Sequence, residues 1–443
     1  MKQICKPLLV IVYTLLFVSQ AFAGGGIPTT VKGNIRGFDV EQIQLNRRES
    51  IHGFQVIDSL GTDGQFQLDM NLATAGFYVL TSEEDRLFML EIYLRPGDQL
   101  VLEMNKEQVA FTGKGSVLNQ FLHDISGKSY TEQVAAIEGM ANPELVRHKA
   151  LLKGNAQGAY LNKVFGPLVE AKIHGADPGI QEAAFTGLNI RLVPEIMVYP
   201  NWLQTITELM YAKMKAGELK VRRAETWVAD FGSAIENQQL KEAFMTAALS
   251  YSVSNGDLVS IQAEIREALP FIKDKSNLAK INALKPKIVR WKAFFRNALP
   301  GTDMSQYTFQ NVKGETVSIK DYRGKLIYVD IWNTGCKPCI AEMPYLKELE
   351  HELKGRDIVF LSVSCDNSTE LWKKFMQKRN MNGEQLIMIG KKDTFFDRIG
   401  MGGVPRFVIL DKAGKIIDYN SCKRPSNPIL KIYLEELLTK SAS

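Results

Sequence analysis

The chain has 443 residues, of which 45% are hydrophobic and 23% charged, with 34 glycines and 16 prolines. These proportions belong to a folded protein and argue against global disorder, collagen-like repetition and a polytopic membrane protein; at roughly 150 residues per domain they suggest about three domains. The net charge of +5, from 54 basic and 49 acidic residues, is scattered and not gathered into the stripe that nucleic acid would require. Five cysteines in so long a chain are too few for a disulfide-stapled scaffold.

In chain order, Lys2 and Lys6 precede an apolar run from Leu8 to Val18, and Ala21-Phe22-Ala23 supplies the small-x-small pattern of a signal-peptidase site. A cleavable signal peptide over residues 1–23 is expected. The apolar run falls short of the roughly 20 residues that span a bilayer, which weighs against a retained anchor. Cys5 would leave with that segment, so that Cys336, Cys339, Cys365 and Cys422 remain in an exported protein of the periplasm or cell envelope. Residues 27–113 alternate apolar and polar in short runs separated by Gly, Asp and Asn turns, the clearest being Pro96-Gly97-Asp98. An antiparallel β domain is expected there, with a structural or interaction role.

Residues 116–295 change to helical spacing, with breaks at Asn142-Pro143, Asp177-Pro178, Tyr199-Pro200 and Asn255-Gly256. Their Met and aromatic stripes read as core, and His123, His148 and His174 lack paired ligand spacing. Residues 299–443 then alternate: strand 325–332, helix 340–354, strand 357–364, helix 368–379, strands 406–411 and 415–420, helix 428–438. That order implies a four-stranded mixed sheet covered by helices. The fold class is thus an N-terminal β domain, a central α-helical domain and a C-terminal α/β domain.

Cys336-Lys337-Pro338-Cys339 leaves a buried strand and opens a helix. Two intervening residues on a first helical turn bring the sulfurs within disulfide reach, and the unpaired amides of the helix N-terminus favour a thiolate at Cys336. Lys337 adds positive charge and Pro338 suits the first turn. Lowering the thiol pKa from ~8.5 to ~7 would raise the neutral-pH thiolate fraction to about half, so attack is feasible without a histidine base. The competing readings are a structural disulfide and half of a zinc site. Zinc would need Cys365 and Cys422, or histidines, to converge on the pair, yet the four-stranded order puts the two cysteines on opposite edge strands, ~14 Å apart, too far also for a disulfide between them. No metal or cofactor is expected.

The run over residues 328–349, the strand-ending segment 402–417 and the segment 312–325 together resemble the thioredoxin-fold, envelope thiol:disulfide oxidoreductases of the TlpA/ResA type. The resemblance covers the chain from about Leu299 onward, and its strength lies in the order and spacing of the motifs. It implies a thioredoxin fold in which Cys336 is the nucleophile and Cys339 the resolving thiol. Asp330 matches the buried acid that relays the second cysteine's proton, and burial should raise its pKa. An acid facing an open edge or paired with a lysine is the alternative. Pro405 matches the cis-proline facing the disulfide, and the Val404 backbone would pair with a substrate strand. Trp332 matches the aromatic beside the site, where a core role serves equally well.

Gly335 departs from the family's usual tryptophan, which removes one wall of the substrate groove, and Met304-Ser305 replaces a common Ala-Pro. Arg406 and the turn Lys423-Arg424-Pro425-Ser426 put positive charge near the same sheet end, either as solvated surface or for substrate selection. The resemblance implies protein disulfides or dithiols as substrates, a membrane-bound electron donor and no nucleic acid. The direction of transfer depends on a potential that spans about −270 to −120 mV in this fold. The alternative is an envelope binding or scaffold protein whose thioredoxin fold is regulatory.

Overall fold

The computed structural model describes residues 26–48, 55–82, 88–174, 191–199, 201–388, 394–421 and 423–440; side chains are described outside 168–174. The expected leader with its cleavage site at Ala23, the breaks at Pro178 and Pro200, and Cys422 lie outside these residues. The chain divides into two compact units, one of residues 1–161 with 193–202 and the other of 162–192 with 203–443.

The first unit contains two four-stranded sheets. One has the order β4-β1-β7-β8, formed by Gln65–Leu72, Ile27–Ile35, Gln99–Met104 and Val109–Lys114. The other has the order β3-β2-β5-β6, formed by Gln55–Ser59, Gln42–Arg47, Gly76–Thr81 and Met89–Leu94. Pairing is antiparallel except between β1 and β7, which run parallel with Val31 opposite Leu100. Alternation sets the core: in β4, Phe66, Leu68, Met70 and Leu72 face inward while Gln65, Gln67 and Asp69 face out. Three helices, α1 (Ser116–Ser126), α2 (Tyr130–Glu138) and α3 (Pro143–Arg147), follow with the beginning of α4 (Lys149–His174). Ser129 and Glu132 form a reciprocal capping box at α2, and Asn142 caps α3.

In the second unit, helices α5 (Trp202–Lys215), α6 (Trp227–Ser233), α7 (Gln238–Ser254), α8 (Ile261–Ala268), α9 (Lys275–Asn282) and α10 (Lys285–Phe294) precede a seven-stranded sheet. Its strands are β9 (Thr308–Asn311), β10 (Thr316–Ser318), β11 (Leu326–Trp332), β12 (Ile358–Ser364), β13 (Glu384–Met388), β14 (Arg406–Leu410) and β15 (Ile416–Asp418), in the order β10-β9-β13-β12-β11-β14-β15. Helices α11 (Lys337–Glu352), α12 (Thr369–Arg379), α13 (Phe395–Arg398) and α14 (Pro428–Lys440) connect or follow them. The four expected strands are present, but three more, β9, β10 and β13, extend the sheet beyond β12. The strand before Cys365 is therefore interior, not an edge. Its extra neighbours are only three to five residues long and owe their conformation to pairing more than to periodicity.

β11 is buried on both faces throughout. Ile327, Val329 and Ile331 join the core with Phe309, Leu361 and Leu386. Leu326 and Tyr328 face the opposite side, against Leu346 and Leu349 of α11 and Leu430 and Leu434 of α14. Asp330 and Trp332 share that second parity, so the strand directs both toward the face that α11 covers.

Candidate redox site

Asn333, Thr334 and Gly335 carry the chain from β11 into α11 and are tied down locally. Asp366 accepts hydrogen bonds from the Thr334 amide at 3.1 Å, the Thr334 hydroxyl at 2.8 Å and the Ser364 hydroxyl at 2.7 Å. The Gly335 amide donates to Asn333 Oδ1 at 3.0 Å, and the Cys336 amide donates to the Asn333 carbonyl at 3.1 Å. The loop delivers Cys336 to the N-cap of α11, where its backbone is extended and its Sγ accepts the Cys339 amide at 3.1 Å. Pro338 occupies the first turn, where no intrahelical donor is lost.

Cys336 and Cys339 form a disulfide with Cα atoms 5.3 Å apart. Cys336 is 9% exposed and Cys339 2%, so the first sulfur is the one a partner reaches more easily. Trp332 packs in the same apolar cluster as both cysteines, with Trp372, Met376 and Ile387. Val404 lies against this cluster. The Val404–Pro405 peptide is cis and leads into β14, whose antiparallel register places Arg406 opposite Ile331. Lys337 is exposed on the first turn of the helix. The arrangement thus brings Cys336, Cys339, Trp332 and Val404 into one cluster, with Pro405 adjoining through the chain and Lys337 on its solvent side.

Asp330 is buried beneath α11, and its pKa is pushed up to about 8, chiefly by loss of water and then by the nearby Glu342 carboxylate; a hydrogen bond with Ser362 opposes the rise. It lies on an interior strand and so faces no open edge, and among the described residues it pairs with no lysine. Glu342 itself is buried on α11 and accepts the Ser426 amide at 2.8 Å and the Ser426 hydroxyl at 3.0 Å.

Sequence reasoning overlooked Ser362, Glu342 and Asp366. Ser362 interrupts the apolar run of β12 and stands opposite Asp330 in register, a signal visible only once the two strands are paired. Glu342 lies three residues after Cys339 on the same helix, a spacing that places both on one side. Cys365, half-buried after β12, has its thiol pKa raised by burial and lies 3.8 Å from Asn333 Nδ2. Lys423, expected to add surface charge, is instead buried and paired with Asp257 at 3.2 Å. Among the described residues no group of three or more His, Cys, Asp or Glu side chains gathers with metal-binding geometry. No described helix is long and apolar enough to cross a membrane.

Residues 299–432 match the Redoxin family. The thiol-disulfide oxidoreductase ResA of Bacillus anthracis is 27% identical over 118 residues, covering 27% of this chain and 67% of that protein. ResA of Geobacillus thermodenitrificans is 28% identical over 116 residues, 26% of this chain and 66% of that protein. A solution structure of a candidate thiol-disulfide oxidoreductase from Bacteroides vulgatus is 43% identical, covers 30% of this chain and 87% of that one, and has a TM-score of 0.28. The chain spans about two thirds of the curated relatives' length.

Proposed function

Residues 299–432 form a TlpA/ResA-type thioredoxin-like domain of the Redoxin family, a thiol:disulfide oxidoreductase, and from that premise we propose that the protein exchanges disulfides with proteins of the cell envelope. The observation that carries this reading is the Cys336–Cys339 disulfide at the N-terminus of α11, with Val404 packed beside it.

In the reduced protein the Cys336 thiolate, favoured by the helix amides and by Lys337, attacks one sulfur of a substrate disulfide. The substrate S–S bond breaks, a Cys336–substrate S–S bond forms, and the departing sulfur takes a proton. Val404 offers its backbone to an extended substrate segment across Pro405, a short strand addition indifferent to most side chains. Cys339 then passes its proton to the Asp330 carboxylate and attacks Cys336 Sγ. The mixed disulfide breaks, the Cys336–Cys339 bond forms, and the substrate leaves as a dithiol, having received two electrons. With its pKa pushed up to about 8, Asp330 is mostly protonated at pH 7, and its ionised form is the one that accepts the proton. A membrane-bound dithiol donor restores the reduced pair. Trp332 fixes the packing beneath the disulfide.

The test is a trap. Expressed in cells, Cys339→Ser should accumulate mixed disulfides with envelope proteins that dithiothreitol releases, and Cys336→Ser should accumulate none. Equal yields from both variants would defeat the assignment of Cys336 as nucleophile.

A further inference from the structure

The helices that precede the redox domain end against the loop carrying Val404 and Pro405. Phe295, the C-cap of α10, is 2% exposed and stacks on Trp291 at 5.4 Å. It also meets Phe294 edge-on at 4.9 Å and Tyr419 at 4.7 Å. The Arg406 guanidinium lies 5.5 Å above its ring, within range of a cation–π attraction. Gly400, at a φ of +59°, lies beside these rings, where an added methyl would sit in ordinary contact, 3.6 Å from Phe294 and 3.7 Å from Phe295. Met401 and Val404 pack in the same core as Phe295, and Val404 also packs against the cluster that holds the disulfide. Val404 is therefore held on one side by the redox cluster and on the other by a core that includes Trp291 and Phe295, which lie outside the Redoxin match.

A separate set of polar contacts ties the preceding helical segment to the redox domain. Lys423, 3% exposed, lies 3.2 Å from Asp257 and 3.8 Å from Glu264, and donates to Ser260 Oγ at 3.1 Å. Burial works against the lysine charge, but Asp257, Glu264 and Asp418 outweigh it and raise its pKa. Asn420 donates to the Asn255 carbonyl at 2.8 Å, and the Ala224 amide donates to Glu436 at 3.0 Å. Gly256, at a φ of +74°, leaves room for Asn420, Phe295 and Trp291 to close over it. A buried ion pair of this kind is costly to break from one side, so the junction resists displacement.

We propose that the end of α10, acting through Phe295 and Arg406, positions the Val404–Pro405 edge and so sets how well protein disulfides dock. The intrinsic reactivity of Cys336 and Cys339 stays with α11. This inference rests on the disulfide-exchange reading above. Its physical ground is that strand addition depends on main-chain hydrogen bonds, which weaken steeply with misalignment, whereas a small disulfide reaches Cys336 without pairing along Val404. Displacement by about 1 Å is enough to cost up to ~100-fold in a positioned reaction.

The experiment uses the full chain, kept reduced by dithiothreitol whose direct reaction with each disulfide is subtracted, with insulin as the protein disulfide and hydroxyethyl disulfide as the small one. Phe295→Ala should lower kcat/KM for insulin about tenfold, mainly through KM, and Phe295→Leu two- to threefold. Both should leave the rate with hydroxyethyl disulfide and the potential of the cysteine pair unchanged. A parallel fall with both substrates, a shifted potential, or an unchanged insulin KM would overturn the inference. Should Phe295→Ala not fold, Phe295→Leu decides by the same ratio. Parent protein inert toward both disulfides would remove the disulfide-exchange reading itself, while an active parent with indistinguishable variants removes only the positioning role.

Discussion

Asp330 favours its neutral form up to about pH 8, because burial and then Glu342 oppose its charge. An unfolded chain would release the same proton near pH ~3.9. Its contribution to stability is therefore complete below about pH 4 and declines as pH rises through the folded value, at about 1.4 kcal/mol per unit. Asp330→Asn should remove that decline: the oxidised variant should match the parent near pH ~4 and exceed it by several kcal/mol near pH ~9, measured by urea midpoints. The same variant should resolve mixed disulfides about 100-fold more slowly, having lost the proton acceptor. Parallel stability curves for variant and parent would contradict the buried-acid account. Asp330 was legible because a lone carboxylate interrupts an apolar strand six residues before Cys336. Ser362 and Glu342, which oppose each other's effect on that carboxyl group, were not. Their influence depends on strand register and helix packing, which a single sequence does not display.

At the scale of elements, the join between β11 and α11 places Cys336 at the N-cap of α11, and Asp366 fixes the join through three hydrogen bonds to Thr334 and Ser364. Asp366→Ala would strand two hydroxyl groups and one amide in a partly buried position. It should cost about 1–3 kcal/mol, seen as a lower urea midpoint without a change in slope. An unchanged midpoint would mean that the loop holds its shape from packing alone. The helices were legible in outline from their spacing and breaks, and Ser368 at the N-cap of α12 is a signal any reader could use. The short strands β9, β10 and β13 were not, since so few residues carry no period. Missing β13 turned β12 into an edge and gave the wrong setting for Cys365.

At the scale of the molecule, changes of texture along the sequence separated strands from helices, but compact units are set by which faces bury one another. Residues 116–161 group with the β-sheets and residues 203–295 with the redox domain, a partition that helical periodicity cannot reveal because both stretches share it. Lys423 illustrates the difficulty: in the sequence it belongs to a basic turn, and only the fold brings Asp257 and Glu264, more than 150 residues earlier, to its ammonium group. The proposed chemistry rests on four residues, Cys336, Cys339, Asp330 and Pro405, carried by α11, β11 and the approach to β14. The proposed function rests on Cys336 and Cys339 forming a reversible redox pair. Its most direct test is an equilibrium titration of the purified protein against reduced and oxidised glutathione, followed by thiol alkylation. We predict one two-electron transition that disappears in Cys336→Ser and in Cys339→Ser; a parent protein that shows no transition, or one that survives either substitution, would contradict it.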